Sequence, residues 1–144
     1  MAPQLKLVHP AADLCIVCSD FSASLEFYRE LLGFEQILDI QIPTDVALGA
    51  HLAPSGFRQV RLPVGHTRIK LMEIANPPNR GNTAFKAGVR WLTFIIEDLP
   101  STVERLKTQG VEFLADSVSA PDAAHVICAV DPDGLLIELV QVDQ

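Results

Sequence analysis

Three cysteines and four histidines are the first side chains in this 144-residue chain to weigh for metal or nucleophilic chemistry. Cys15 and Cys18 have the C-x-x-C spacing of a redox or zinc motif. Strand geometry argues against that use. Residues 13–19 read as an apolar strand, and on a strand positions i and i+3 point to opposite faces. Small apolar side chains in a buried strand explain the pair better. Cys128 stands alone, and the odd count argues against a closed disulfide framework and for a reducing compartment. The histidines are His9, His51, His66 and His125. No Ser-His-Asp order, phosphate-cradling glycine loop or zinc-finger spacing accompanies them. His66 sits at a hairpin tip. His51 lies in a long apolar stretch, where a histidine can relay a proton to a ligand, and it is a ligand-contact candidate.

These residues must be positioned by a scaffold, and the scaffold repeats. Residues 13–21 are echoed by residues 91–99: an apolar strand, an acid (Asp20, Asp98), then an amphipathic helix. Leu25 and Glu26 match Val103 and Glu104, and Arg29 matches Lys107. The first helix carries the stripe Phe21, Leu25, Tyr28, Leu32 and stops at Gly33; the second carries Leu99, Val103, Leu106 and stops at Gly110. Asp20 or Ser22 can cap the first, and Pro100 suits the start of the second. Strands are expected at 34–40, 57–62, 67–74, 89–96, 111–114, 126–130 and 135–142. Hairpins turn at Val64-Gly65-His66 and Asp131-Pro132-Asp133-Gly134. Residues 76–82 form a linker. Residues 43–55 read as an unpatterned loop, a lid or a dimer contact.

Composition limits the partners. With 11 basic against 18 acidic residues the net charge is −7, which excludes a nucleic-acid binder relying on a basic face. No apolar run approaches the roughly 18 residues of a membrane span, and residues 1–6 show no secretory signal. The expectation is a cytoplasmic protein without membrane or nucleic-acid partners. At 49% hydrophobic residues the chain can bury a substantial core.

Two segments, Val17-Cys18-Ser19-Asp20-Phe21-Ser22-Ala23-Ser24-Leu25-Glu26-Phe27-Tyr28-Arg29-Glu30-Leu31-Leu32-Gly33-Phe34 and Asp131-Pro132-Asp133-Gly134-Leu135-Leu136-Ile137-Glu138-Leu139, together resemble the vicinal oxygen chelate superfamily. It includes glyoxalase I, bleomycin- and fosfomycin-resistance proteins, extradiol dioxygenases and methylmalonyl-CoA epimerase. The resemblance covers about residues 10–142. It implies an α+β fold: two βαβββ units, about 10–75 and 88–142, forming a curved mixed sheet around a pocket, with the helices outside. One domain over 1–144 and a homodimer are expected with it. Metal-bearing members take ligands from the first and last strands of each unit. Matched residue by residue, those positions are Asp13, Lys70, Trp91 and Glu138.

Trp91 has no lone pair for a metal and Lys70 is a cation, so the resemblance does not extend to the family's metal. No cofactor is expected. An ammonium between two carboxylates can instead replace the missing cation. That cluster is either structural or catalytic, with Lys70, Glu138 and Asp13 as the reacting groups. Trp91 either stacks on a flat ligand or fills the cavity. Strand alternation turns Cys15, Arg68, Met72 and Thr93 inward with these four. Arg68 beside Lys70 favours an anionic or carbonyl-bearing ligand, unless it is a rim residue in solvent. Cys128 is a further contact candidate. The expected function is binding of a small organic molecule without the metal. A metal-dependent lyase, isomerase or dioxygenase of the glyoxalase type is the alternative, and a drug-sequestering protein a further one.

Overall fold

The computed structural model describes residues 4–142; residues 1–3, where the segment read for a secretory signal begins, lie outside the described residues. The chain divides into two compact units, Met1–Pro78 and Asn79–Gln144. The first runs β1 (Leu14–Val17), α1 (Phe21–Leu25) continued by a π-helical segment (Glu26–Leu31), β2 (Leu38–Ile42), α2 (Thr44–Gly49), β3 (Phe57–Val64) and β4 (Thr67–Glu73). Its sheet has the order β1-β4-β3-β2, with β1 parallel to β4 and the other pairs antiparallel. The second runs β5 (Trp91–Ile95), α3 (Leu99–Thr108), β6 (Glu112–Phe113), β7 (Val118–Ala120), β8 (Ala123–Val130) and β9 (Leu136–Gln141). Its order is β5-β9-β8-β6, with β5 parallel to β9 and β7 also paired to β8. The two units share one topology. Among the described residues the fold is α+β, with two mixed sheets and no closed barrel.

The repeated acids cap the repeated helices. Asp20, with extended backbone (φ −136°), accepts the Ala23 N–H at 3.1 Å. Asp98 accepts the Ser101 N–H at 3.3 Å, from a left-handed backbone (φ 45°) that aspartate tolerates better than most residues. α3 buries Leu99, Val103 and Leu106. The first helix departs from its expected stripe. Adjacent Phe27 and Tyr28 are both buried, edge to face with ring centroids 4.9 Å apart. A regular α-helix turns neighbours about 100° apart. The wider π turn, closed by Leu32 N–H to the Phe27 carbonyl at 2.9 Å, accommodates both rings while Leu32 is left half-buried.

α1 packs against β4. Val60, Leu62, Ile69 and Leu71 are essentially inaccessible on one sheet face. On the opposite face, Phe57, Met72 and Ile74 meet Ala47 of α2, joined by Ile42 and Ala53. The stretch read as a loop therefore contains a helix. Its single buried side chain, Ala47, is tied down by tertiary contact, so no helical period shows in the sequence. β7 also escaped the sequence reading, as did the first residues of β8; short edge strands carry little pattern.

The turn between β8 and β9 is built as expected. The buried Asp131 carboxylate accepts the N–H groups of Asp133 and Leu135, each at 2.8 Å. Gly134 completes it at φ 89° and lies against Gly81, whose N–H donates to the Asp133 carbonyl at 3.0 Å. A β-carbon on Gly134 would collide with the Gly81 carbonyl. Gly134→Ala therefore meets both left-handed strain and a backbone clash, and should lower unfolding free energy by at least about 1–3 kcal/mol. Urea denaturation of both proteins checks this; an unchanged midpoint would show that the linker does not rest on the turn.

Candidate functional site

Cross-strand register decides which side chains share a face. In the first unit Cys15 is opposite Lys70, and Lys70 is opposite Arg61. One row along, Val17 meets Met72 and Met72 meets Gln59. Arg68 lies two residues before Lys70 on the same face, beside Asp13. Asp13, Cys15, Arg68, Lys70 and Met72 thus come together on one face, as alternation implied.

The charge arrangement differs from the one drawn from sequence. Arg68, not Lys70, is the principal partner of Asp13. Its Nε lies 3.0 and 3.2 Å from the two carboxylate oxygens, a terminal nitrogen lies at 2.8 Å, and its backbone N–H donates at 3.0 Å. Lys70 Nζ stands at 3.8 Å, ion-pair distance without a hydrogen bond. The planar guanidinium matches a carboxylate on two points where an ammonium matches on one. His9 Nε2 also approaches Asp13, at 3.5 Å. The Arg68 side-chain hydrogen bonds are the main cause holding the Asp13 carboxyl at about 2, against the opposing push of desolvation. Cys15 is exposed as a residue, yet desolvation of its sulfur pushes the thiol up against the pull of Lys70. It is not an activated thiolate. Met72 is 4% exposed and belongs to the cluster under α2, so its surface is already spent on packing. His51 follows α2, exposed, at φ 56°.

In the second unit Thr93 is opposite Glu138 and Glu138 is opposite Cys128, with Trp91 two residues before Thr93. The Trp91 indole N–H donates to the Thr93 hydroxyl at 3.1 Å, and that hydroxyl donates to Glu138 Oε1 at 2.7 Å. Trp91 remains 48% exposed, so its ring is open to contact rather than consumed as core. Desolvation, and then Glu138, push the Cys128 thiol up, against the pull of Arg90. Sequence reading missed His9, Gln59 and Arg61. Only His9 carried a local signal, four residues before Asp13; the other two needed the β3 register.

The chain belongs to the Glyoxalase/Bleomycin resistance protein/Dioxygenase superfamily, whose sequence model matches residues 6–139. The uncharacterized protein YwkD of Bacillus subtilis is 28% identical over 138 residues, covering 95% of this chain and 98% of its own. A crystal structure of a glyoxalase family protein from Bacillus cereus is 21% identical and matches with a TM-score of 0.81 over 100% of both chains. The crystal structure of TnmS3, an antibiotic binding protein from a Streptomyces species, is 23% identical and matches at 0.61 over 96% of this chain and 100% of its own. At these identities the two solved structures show the fold alone. No helix among the described residues is long and apolar enough to cross a membrane.

The depressed Asp13 value has a signed consequence. A carboxyl whose folded pKa lies below its unfolded value contributes stability above the unfolded value and loses it as pH falls through the folded one. Asp13→Asn should lower Tm by a constant amount from pH 7 down to the ordinary aspartate value of 3.8, and the gap should close as pH falls on to about 2. Thermal melts of both proteins across that range check it. A gap that widens in acid would show that the Arg68 pairing does not carry the effect.

Proposed function

We propose that this protein binds small organic molecules at the sheet faces of its units, one face carrying Asp13 and Lys70 and the other, taken by itself, Trp91 and Glu138, and does so without a divalent metal. The observation that carries the reading is the cation already bound to Asp13. Arg68 occupies both carboxylate oxygens, and the Lys70 ammonium stands beside them. A metal at the first unit's two positions would have to displace a guanidinium and sit against an ammonium. In the second unit the indole nitrogen of Trp91 is a donor only, and Glu138 already accepts from Thr93. At the four matched positions themselves the remaining donors are two carboxylates, without the nitrogen or sulfur ligands that tight zinc or nickel sites use. The residues present do not fit the family's metal.

Binding rather than a named reaction is favoured by the same chemistry. The thiols of Cys15 and Cys128 are pushed up, away from nucleophilic thiolates. The exposed Trp91 offers a stacking surface for a flat ligand. An antibiotic binding protein among the structural neighbours is consistent with that use of the fold. We also place the protein, on this reading, as a cytoplasmic homodimer.

Thermal-shift screening of a small-molecule library with EDTA present tests the proposal. Ligands should stabilise the protein equally with and without the chelator, and the protein as purified should hold well under one equivalent of zinc, nickel, iron or manganese. Trp91→Ala should weaken the flat aromatic hits about tenfold, the loss expected for one stacking contact. Hits that all vanish in EDTA, or stoichiometric metal lost on Glu138→Gln, would overturn the metal-free reading.

A further inference from the structure

A chain of net charge −7 carries a local excess of positive charge on one face of its first sheet. The pairings Cys15–Lys70–Arg61–Leu38 and Val17–Met72–Gln59–Ile40 run as adjacent rows across β1, β4, β3 and β2. The row next to the first holds Asp13 and Arg68. Within these rows stand three cations, Arg61, Arg68 and Lys70, against one carboxylate. Arg68 is committed to Asp13, leaving Lys70 and Arg61 side by side on neighbouring strands.

Both are under-used. Among the described residues, Lys70 makes its ion pair at 3.8 Å with an Asp13 that Arg68 already satisfies. Arg61 donates from one terminal nitrogen to Gln59 Oε1 at 3.0 Å, and its Nε is buried with no hydrogen-bond partner. A buried donor left unmade is costly, and few native donors stay so. Gln59 is 8% exposed, so the amide steering Arg61 is itself fixed in place. Opposed cations on adjacent strands repel unless an anion lies between them. The flanking side chains on this face are apolar and partly open: Val17 is 44% exposed and Ile40 36%.

We infer that Arg61 and Lys70, steered by Gln59, form a site for an organic anion, its carboxylate or phosphate held between the two cations and its apolar body against Val17 and Ile40. The inference rests on the small-molecule reading above and names the ligand class. It adds Arg61 and Gln59 to the site and gives Lys70 the role of ligand cation rather than partner of Asp13.

Titration of the protein with phenylacetate, benzyl phosphate and the neutral phenylacetamide, followed by amide and side-chain NMR shifts, tests it. The acid or the phosphate ester should bind at least tenfold tighter than the amide, with shifts centred on Lys70, Arg61 and Gln59; which anion is preferred separates the two headgroups. Lys70→Gln, at a partly exposed position that should fold, must cost the anions at least tenfold and leave the amide unchanged. Arg61→Gln should do the same. Equal binding of anion and amide, or anion binding indifferent to Lys70→Gln, overturns the anion site while small-molecule binding stands. If none of the three probes shifts this face and the library screen also finds no ligand, both readings fall.

Discussion

Parallel pairing of the first strand of each unit with its last is the constraint on which the rest of the structure depends. Parallel neighbours cannot be joined by a tight turn, so a crossover must leave one edge and return. Here the crossover is a helix followed by a meander, and the helix lies on one side of the sheet. That side becomes the closed core of Val60, Leu62, Ile69 and Leu71. The register Cys15–Lys70 in one unit and Thr93–Glu138 in the other determines which side chains the other side holds. A one-residue slip of β4 would exchange Lys70 and Arg68 for Ile69 and Leu71. That exchange would bury two cations and expose two core side chains, which is why the register is strongly specified.

Given that register, the first unit distributes positive charge unequally. Arginine and lysine both stand near Asp13, and the geometry separates their roles. The guanidinium forms a multi-point pair with the carboxylate; the ammonium is left at 3.8 Å. The second unit handles its carboxylate with neutral donors instead, through Thr93 and the Trp91 indole. Equivalent positions in a repeated fold have thus diverged into a cationic face and an aromatic, hydrogen-bonded one. On the reading proposed above, the two would suit different ligand groups, a charged group and a flat ring.

Much of this architecture was legible in the chain. The echo of residues 13–21 in 91–99 gave two units, and the acids Asp20 and Asp98 start their helices because a carboxylate can take a free N–H there. Asp131-Pro132-Asp133-Gly134 declared its turn through residues with one conformational use each. Alternation placed Asp13, Cys15, Arg68 and Lys70 together because a strand has a period of two. What stayed hidden was non-local. α2 exists because Ala47 packs under Phe57 and Met72, and six residues cannot show an amphipathic period. The π turn answers two adjacent rings that both find the core. Arg61 could not be phased, since no residue of β3 anchored its faces until Lys70 was seen opposite. Arg68 was on the right face, but its bidentate hold on Asp13 is a matter of rotamer, which spacing does not encode.

The charge asymmetry finally bears on how an anion would reach such a face. Net charge of −7 repels an anionic ligand at long range, while the Lys70–Arg61 pair attracts it within a few ångströms. Screening by salt acts over about 8–10 Å at physiological ionic strength. Salt therefore weakens the long-range repulsion first and the contact between partly buried cations and their ligand last. An acidic protein with a small cationic face is in this respect opposite to one that steers its ligand from afar. An anion bound there, as inferred above, would be admitted by contact, at a rate that rises with modest salt, and selected by its fit to Lys70 and Arg61 rather than by charge alone. The Gln59–Arg61 hydrogen bond then matters more than its modest strength suggests, because it determines where the second cation stands.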